Sequence, residues 1–207
     1  MFDLSEDELR LHILECGDGP ASFNAEMHQH GRQVLSCDPI YQFSARKIER
    51  RIAETYPLVL EQTHQNVNTF VWDTIGSLQE LGRVRMCAMR RFLADYEQGK
   101  KEGRYLAASL PWLPFPERRF DLALCSHFLF LYSNRLSLDF HHDAIKEMCR
   151  VAAEVRVFPL LDLEGNVSPY VNTIVQELRQ AGYNVEIQRV PYEFQRGGDE
   201  MMRVWES

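Results

Sequence analysis

The apolar positions of this chain fall into two kinds of pattern, short unbroken runs and helical spacings. Leu11-His12-Ile13-Leu14-Glu15-Cys16 is a run that stops at Gly17-Asp18-Gly19-Pro20. Phe23 and Met27, four residues apart, predict a short helix closed by Gly31. Val34 to Cys37 is a second run, ended by Asp38-Pro39. Strand, glycine turn, helix and strand within about thirty residues make a βαβ unit.

Residues 41–104 read differently. Apolar residues recur at 48, 52, 56 and 59, at 67, 70, 71 and 75, and at 81, 84, 88 and 92, all helical spacings. Pro57 is expected to break or kink the first of these helices. Ser77-Leu78-Gln79-Glu80 matches a capping box that starts the last one, and Lys100-Lys101 after Gly99 suits its end.

Runs then resume at Tyr105–Leu110, at Phe120–Cys125 (apolar enough for a central strand) and at Val155–Leu161, where Pro159 marks an end. Ser137 caps a predicted helix with apolar positions 140, 144, 148 and 151. Ser168-Pro169 opens another, with Val171, Ile174, Val175 and Leu178 on one face and Gly182 past its end. Tyr183–Val190 and Met201–Trp205 have no helix between them, so they pair antiparallel through Gly197-Gly198-Asp199. The predicted fold is α/β: a Rossmann-like, mostly parallel seven-stranded sheet with an antiparallel C-terminal hairpin, in one domain over 1–207. A helical insertion at 41–104 follows the second strand.

Charge sharpens this picture. The 207 residues carry a net charge of -7, which argues against a protein built to grip nucleic-acid phosphates. The helical insertion is the exception, with 11 Lys and Arg against 8 Asp and Glu. No apolar run is long enough to span a membrane, and the acidic start, Asp3 to Glu8, is unlike a signal peptide. A cytoplasmic location is expected. The five cysteines form no C-x-x-C pair, so neither a disulfide framework nor a thiolate metal site is expected.

Candidate chemistry gathers at the first turn. Gly17 and Gly19 let the backbone approach a ligand at a helix start, and Asp38 at the end of the second strand can accept hydrogen bonds from ribose hydroxyls. Turn, helix and acid in this order point to a nucleoside-containing ligand.

These residues resemble the class I S-adenosylmethionine-dependent methyltransferases. Glu15-x-Gly17-x-Gly19 is similar to that family's first motif, Asp38 to its ribose-binding acid, and Leu113-Pro114-Phe115-Pro116 before Phe120-Asp121 to the approach to its fourth strand. The resemblance implies S-adenosylmethionine as cofactor. It implies cofactor contacts from Glu15, Gly17, Asp18, Gly19, Pro20, Asp38, Pro39, Ser109, Leu110, Ser126 and His127. Ser109 stands where the family usually has an acid facing adenine. The implied activity is methyl transfer to a small-molecule acceptor by in-line displacement. His127 is either a base or a residue packed on the cofactor. Phe128, Tyr132, Arg83 and Arg90 are candidates for the acceptor pocket, with the insertion as its cover.

Two other readings use the same residues. A cofactor-binding regulatory or partner-binding protein would keep the fold without turnover. An NAD-dependent oxidoreductase shares the glycines and the acid, but here Ser22 stands where the third glycine of G-x-G-x-x-G belongs. His141-His142-Asp143 is not read as a metal site, because adjacent helical residues diverge by about 100°.

Overall fold

A computed structural model describes residues 1–206. Its strands are β1 (Ile13–Cys16), β2 (Val34–Cys37), β3 (Tyr105–Leu106), β4 (Phe120–Ser126), β5 (Ala152–Phe158), β6 (Tyr183–Arg189) and β7 (Glu200–Glu206). They form one sheet in the order β3-β2-β1-β4-β5-β7-β6. The first five strands are parallel, and β7 runs antiparallel to both β5 and β6. The sheet therefore reverses its order between β1 and β4, where ligands of open α/β sheets bind.

The helices are α1 (Phe23–Gln29), α2 (Ala45–Gln65), α3 (Leu78–Lys101), α4 (Leu138–Val151) and α5 (Val171–Gln180). None is long and apolar enough to cross a membrane. Strand alternation divides the core between the two sheet faces. Leu14, Cys16, Ala123 and Cys125 pack with Ala144 and Ile145 of α4 on one side, while Ile13, Leu122 and Leu124 pack with Met27 of α1 on the other. A third cluster joins α2 and α3 to the sheet edge through Tyr41, Phe92, Tyr96 and Tyr105, with ring centroids 5.0–5.9 Å apart. Arg104 locks the same edge: its guanidinium pairs with both Asp95 oxygens at 2.6 and 2.8 Å and donates to Asn24 of α1 at 2.8 Å.

Several local expectations need correction. Pro57 does not break α2, which runs through it. The stretch predicted as helical around 67–75 holds one 3-10 turn, Val67–Thr69, and then extends. Val71 donates to the Phe194 carbonyl at 2.7 Å and the Phe70 ring stacks on Phe194 at 4.7 Å, so a distant partner overrides the local spacing. The third strand ends at Leu106, because Ser109 turns back to bridge Trp112. The fifth strand starts at Ala152, directly after α4, and stops at Phe158 before Pro159. Ser168 does not cap α5 directly. Its hydroxyl accepts from the Tyr170 N–H at 3.3 Å, and the helix begins one residue later. At Ser77 the hydroxyl does cap α3, accepting from the Glu80 N–H at 3.1 Å; the Glu80 carboxylate turns instead to Arg83.

Candidate functional site

The loop after β1 is built by its glycines. Gly17 and Gly19 both have positive φ, +69° and +62°, a region that side chains strain. The Gly17 N–H donates to the Cys37 carbonyl at 2.9 Å, tying the loop to the end of β2. Asp38 continues that tie: one carboxylate oxygen accepts from the Gly19 N–H at 2.9 Å and the other from Ile40 N–H at 2.8 Å. The buried Tyr41 hydroxyl closes the loop from below, donating to the Gly19 carbonyl at 2.8 Å. Nothing lies within 4 Å of where a Gly19 side chain would start, so that face of the loop is open. The corresponding space at Gly17 is filled by the Phe128 ring, 2.9 Å away.

Three carboxyl groups meet here. Ser36 donates to Glu15 at 3.0 Å and is itself held by Asn24, also at 3.0 Å. Burial, then the Asp18 charge, holds Glu15 well above the usual carboxylate range. Burial pushes Asp18 up to about 6 and raises Asp38 as well. None of the three has a cationic partner within 4.0 Å among the described residues.

On the far side of β1, β4 ends at Ser126 and the chain turns sharply at His127, φ +52°. The His127 N–H donates to the Phe158 carbonyl at 2.7 Å, and its ring meets the Phe158 ring edge-on at 5.6 Å. Desolvation, followed by the nearby Arg85 guanidinium, lowers the imidazole to about 4. It is therefore neutral near pH 7 and has a free acceptor nitrogen.

A cavity of about 460 Å³ joins these parts, within the range of about 300–1,000 Å³ typical of small-molecule sites. Gly17, Asp18, Pro20, Ser126 and His127 line it on the sheet side, and apolar residues of α2 and α3 line the opposite wall. Glu15 and Gly19 support it without lining it. Asp38, exposed Pro39 and Ser109 lie farther along the same strand ends, outside the cavity, and Leu110 is buried in the core beside Leu113. Phe128 packs under the glycine loop and against Tyr132.

The four arginines that the sequence groups on α3, Arg83, Arg85, Arg90 and Arg91, do not act together. Arg83 is exposed and bonded to Glu80, Arg90 is exposed, and Arg91 pairs with Glu26 of α1 at 2.6 Å. The arginine lining the cavity is Arg85, which belongs to that group but is not one of the two singled out for the acceptor pocket. Tyr41, Tyr192 and Phe194 were also missed. His141 is fully buried, with its ring nitrogens 2.7 and 2.9 Å from the Ser137 and Leu129 carbonyls, while His142 lies 3.5 Å from Asp143.

No protein-family model matches the chain. Over 205 residues it is 32% identical to a Methanocaldococcus jannaschii protein named "Uncharacterized protein MJ0045", covering 99% of this chain and 90% of that one. The chain belongs to the MJ0045 family. Solved structures show the fold of this family member. Magnesium protoporphyrin IX methyltransferase from Synechocystis PCC 6803, crystallised with bound S-adenosylmethionine, superposes with TM-score 0.51 at 11% identity over 98% of this chain and 73% of its own. A methyltransferase dependent on the same compound, from Methanosarcina mazei, gives 0.50 at 13% identity over 99% and 98%. The fold is thus that of class I S-adenosylmethionine-dependent methyltransferases.

Proposed function

We propose that this protein is an S-adenosylmethionine-dependent methyltransferase whose small-molecule acceptor occupies the cavity between the glycine loop and α2–α3. The observation that carries the reading is the unpaired carboxyl cluster Glu15, Asp18 and Asp38 on an open glycine loop. A dinucleotide would bring a pyrophosphate dianion against these acids. A ligand with an ammonium and a sulfonium is attracted by them.

The residues present fit that cofactor. Asp38 spends one lone-pair direction per oxygen on backbone N–H groups and has others for ribose hydroxyls. Asp18 is among the residues lining the cavity, where the cationic end would sit. When bound, the cofactor supplies an electrophilic methyl group on a good leaving group, so the chain's tasks are alignment and exclusion of water. Helices α2 and α3, within residues 41–104, cover the cavity and limit the acceptor to a small molecule. Neutral His127 can accept a proton if the acceptor carries one to lose.

The test is parallel calorimetric titration with S-adenosylmethionine, S-adenosylhomocysteine and NAD. The two sulfur nucleosides should bind and NAD should not. Asp38→Ala should weaken binding by about 1–3 kcal/mol, as expected for unpaired ribose hydroxyls. Binding of NAD alone overturns the reading, and no binding by any of the three leaves a fold kept for a partner.

A further inference from the structure

Arg85 is the charged residue of α3 that lines the cavity. Its guanidinium carbon lies 5.9 Å from the Phe194 ring centroid. Arg85, His127, Tyr192 and Phe194 line both the cavity of about 460 Å³ and a smaller one of about 170 Å³, so Arg85 stands where the two meet. No carboxylate among the described residues lies within 4.0 Å of its nitrogens, and these nitrogens, without a protein acceptor, reach solvent. Burial lowers its pKa. Its neighbours on α3 show the contrast: Arg83 and Arg91 each have a carboxylate partner on the outer surface.

A guanidinium held against an aromatic ring, half-withdrawn from water and without an anion, gains from a ligand that supplies the counter-charge. Its planar fork of N–H groups matches two coplanar oxygens. The walls around it are aromatic and aliphatic: Tyr192, Phe194, Phe70, Leu81 and Val84. The geometry points to a hydrophobic monocarboxylic acid as the ligand of this cavity, its carboxylate paired with Arg85 and its apolar body against α2, α3 and Phe194. A phosphate monoester is the competing ligand: Met1, whose ammonium acts on His127, also lines the cavity, but so does Asp18, which opposes a second negative charge. Calling this acid the methyl acceptor rests on the methyltransferase reading; its binding to Arg85 does not.

The experiment is calorimetric titration of the whole protein, with and without S-adenosylhomocysteine, using hexanoate, benzoate, 3-phenylpropionate and indole-3-acetate. The corresponding amides and phenyl phosphate serve as comparison ligands. At least one carboxylate should bind at least tenfold more tightly than its amide and than phenyl phosphate. Arg85→Gln should weaken that carboxylate at least tenfold and leave S-adenosylhomocysteine affinity within twofold, and Arg85→Lys should recover part of the loss. Thermal melting of both variants checks folding, and retained nucleoside binding verifies an intact site if the melting point moves. Equal binding of acid and amide, an unchanged affinity in Arg85→Gln, preference for phenyl phosphate, or no binding by any carboxylate overturns the inference. Nucleoside binding without carboxylate binding refutes the acid alone. Carboxylate binding without nucleoside binding refutes the methyltransferase reading alone.

Discussion

Gly17 and Gly19 share a left-handed backbone but not an environment, and this difference yields a prediction. A side chain at Gly19 would meet nothing within 4 Å, so Gly19→Ala should cost only the conformational strain, about 1–2 kcal/mol. At Gly17 a methyl group would also lie 2.9 Å from Cγ and Cδ1 of Phe128, near the root of the side chain where rotation gives little relief. Overpacking of this kind costs about 1–3 kcal/mol more, so Gly17→Ala should lose about 2–5 kcal/mol in urea unfolding. In a Phe128→Ala background, where only the Cβ at 3.2 Å remains, the same substitution should cost clearly less than in the native protein. Equal costs of Gly17→Ala in the two backgrounds would show that Phe128 is not the obstacle. The two glycines were legible in the sequence because positive-φ turns select them. Phe128 as the ring beneath Gly17 was not, since that contact exists only once β1 and β4 lie side by side. Tyr41 went unseen for the same reason: its role depends on β2 and the glycine loop meeting at their ends.

The elements were easiest to read where local pattern and tertiary contact agree. The β4 run is apolar on both faces and lies in the middle of the sheet, and the spacing of α5 presents Val171, Ile174 and Leu178 to the core. Agreement fails at Phe70–Val71, whose helical spacing is overruled by pairing with the Phe194–Gln195 segment. Arg85 was available from periodicity alone. It stands four residues after Leu81 and three before Ala88, on the stripe that turns inward, whereas Arg83 and Arg90 fall off that stripe. Pro57 is the reverse case, a breaker that breaks nothing. It sits exposed within α2 and supplies no N–H for the Ala53 carbonyl, the bond an ordinary residue would make four residues on. Pro57→Ala restores that donor and removes the ring's clash with the preceding turn, a change worth up to about 3 kcal/mol in a helix interior. The variant should therefore unfold at higher urea concentration, by about 1–3 kcal/mol. A loss of stability would mean that the wall of α2 over the cavity depends on the local geometry proline imposes.

Across the whole molecule, titration of the site opposes itself. Many carboxylates elsewhere are held below their usual range by arginines: Asp95 by Arg104, Glu154 by Arg203 and Arg156, and Glu147 by Arg150. Their contribution to stability is lost only as the solution becomes strongly acidic. Between pH 4 and 6.5 the site decides. Asp18, raised from 3.8 to about 6, binds more protons folded than unfolded in that window, so its contribution falls as pH rises through it. His127, lowered from 6.5 to about 4, binds fewer protons folded than unfolded, so its contribution rises over nearly the same window. Glu15 and Asp38, also raised, add to the Asp18 slope, so His127 offsets only part of it, and the native protein's unfolding free energy should fall modestly between pH 4.5 and 6. His127→Gln keeps a polar side chain of similar reach but removes the titrating imidazole, exposing the carboxyl slope alone. Its unfolding free energy should fall more steeply from pH 4.5 to pH 6 than the native protein's does. A level profile in His127→Gln would show that the Glu15–Asp18 pair does not hold its extra proton in the folded state. Saturating S-adenosylhomocysteine, with its ammonium, should flatten the slope of His127→Gln, because a cation beside Asp18 lowers the pH at which that carboxyl ionises.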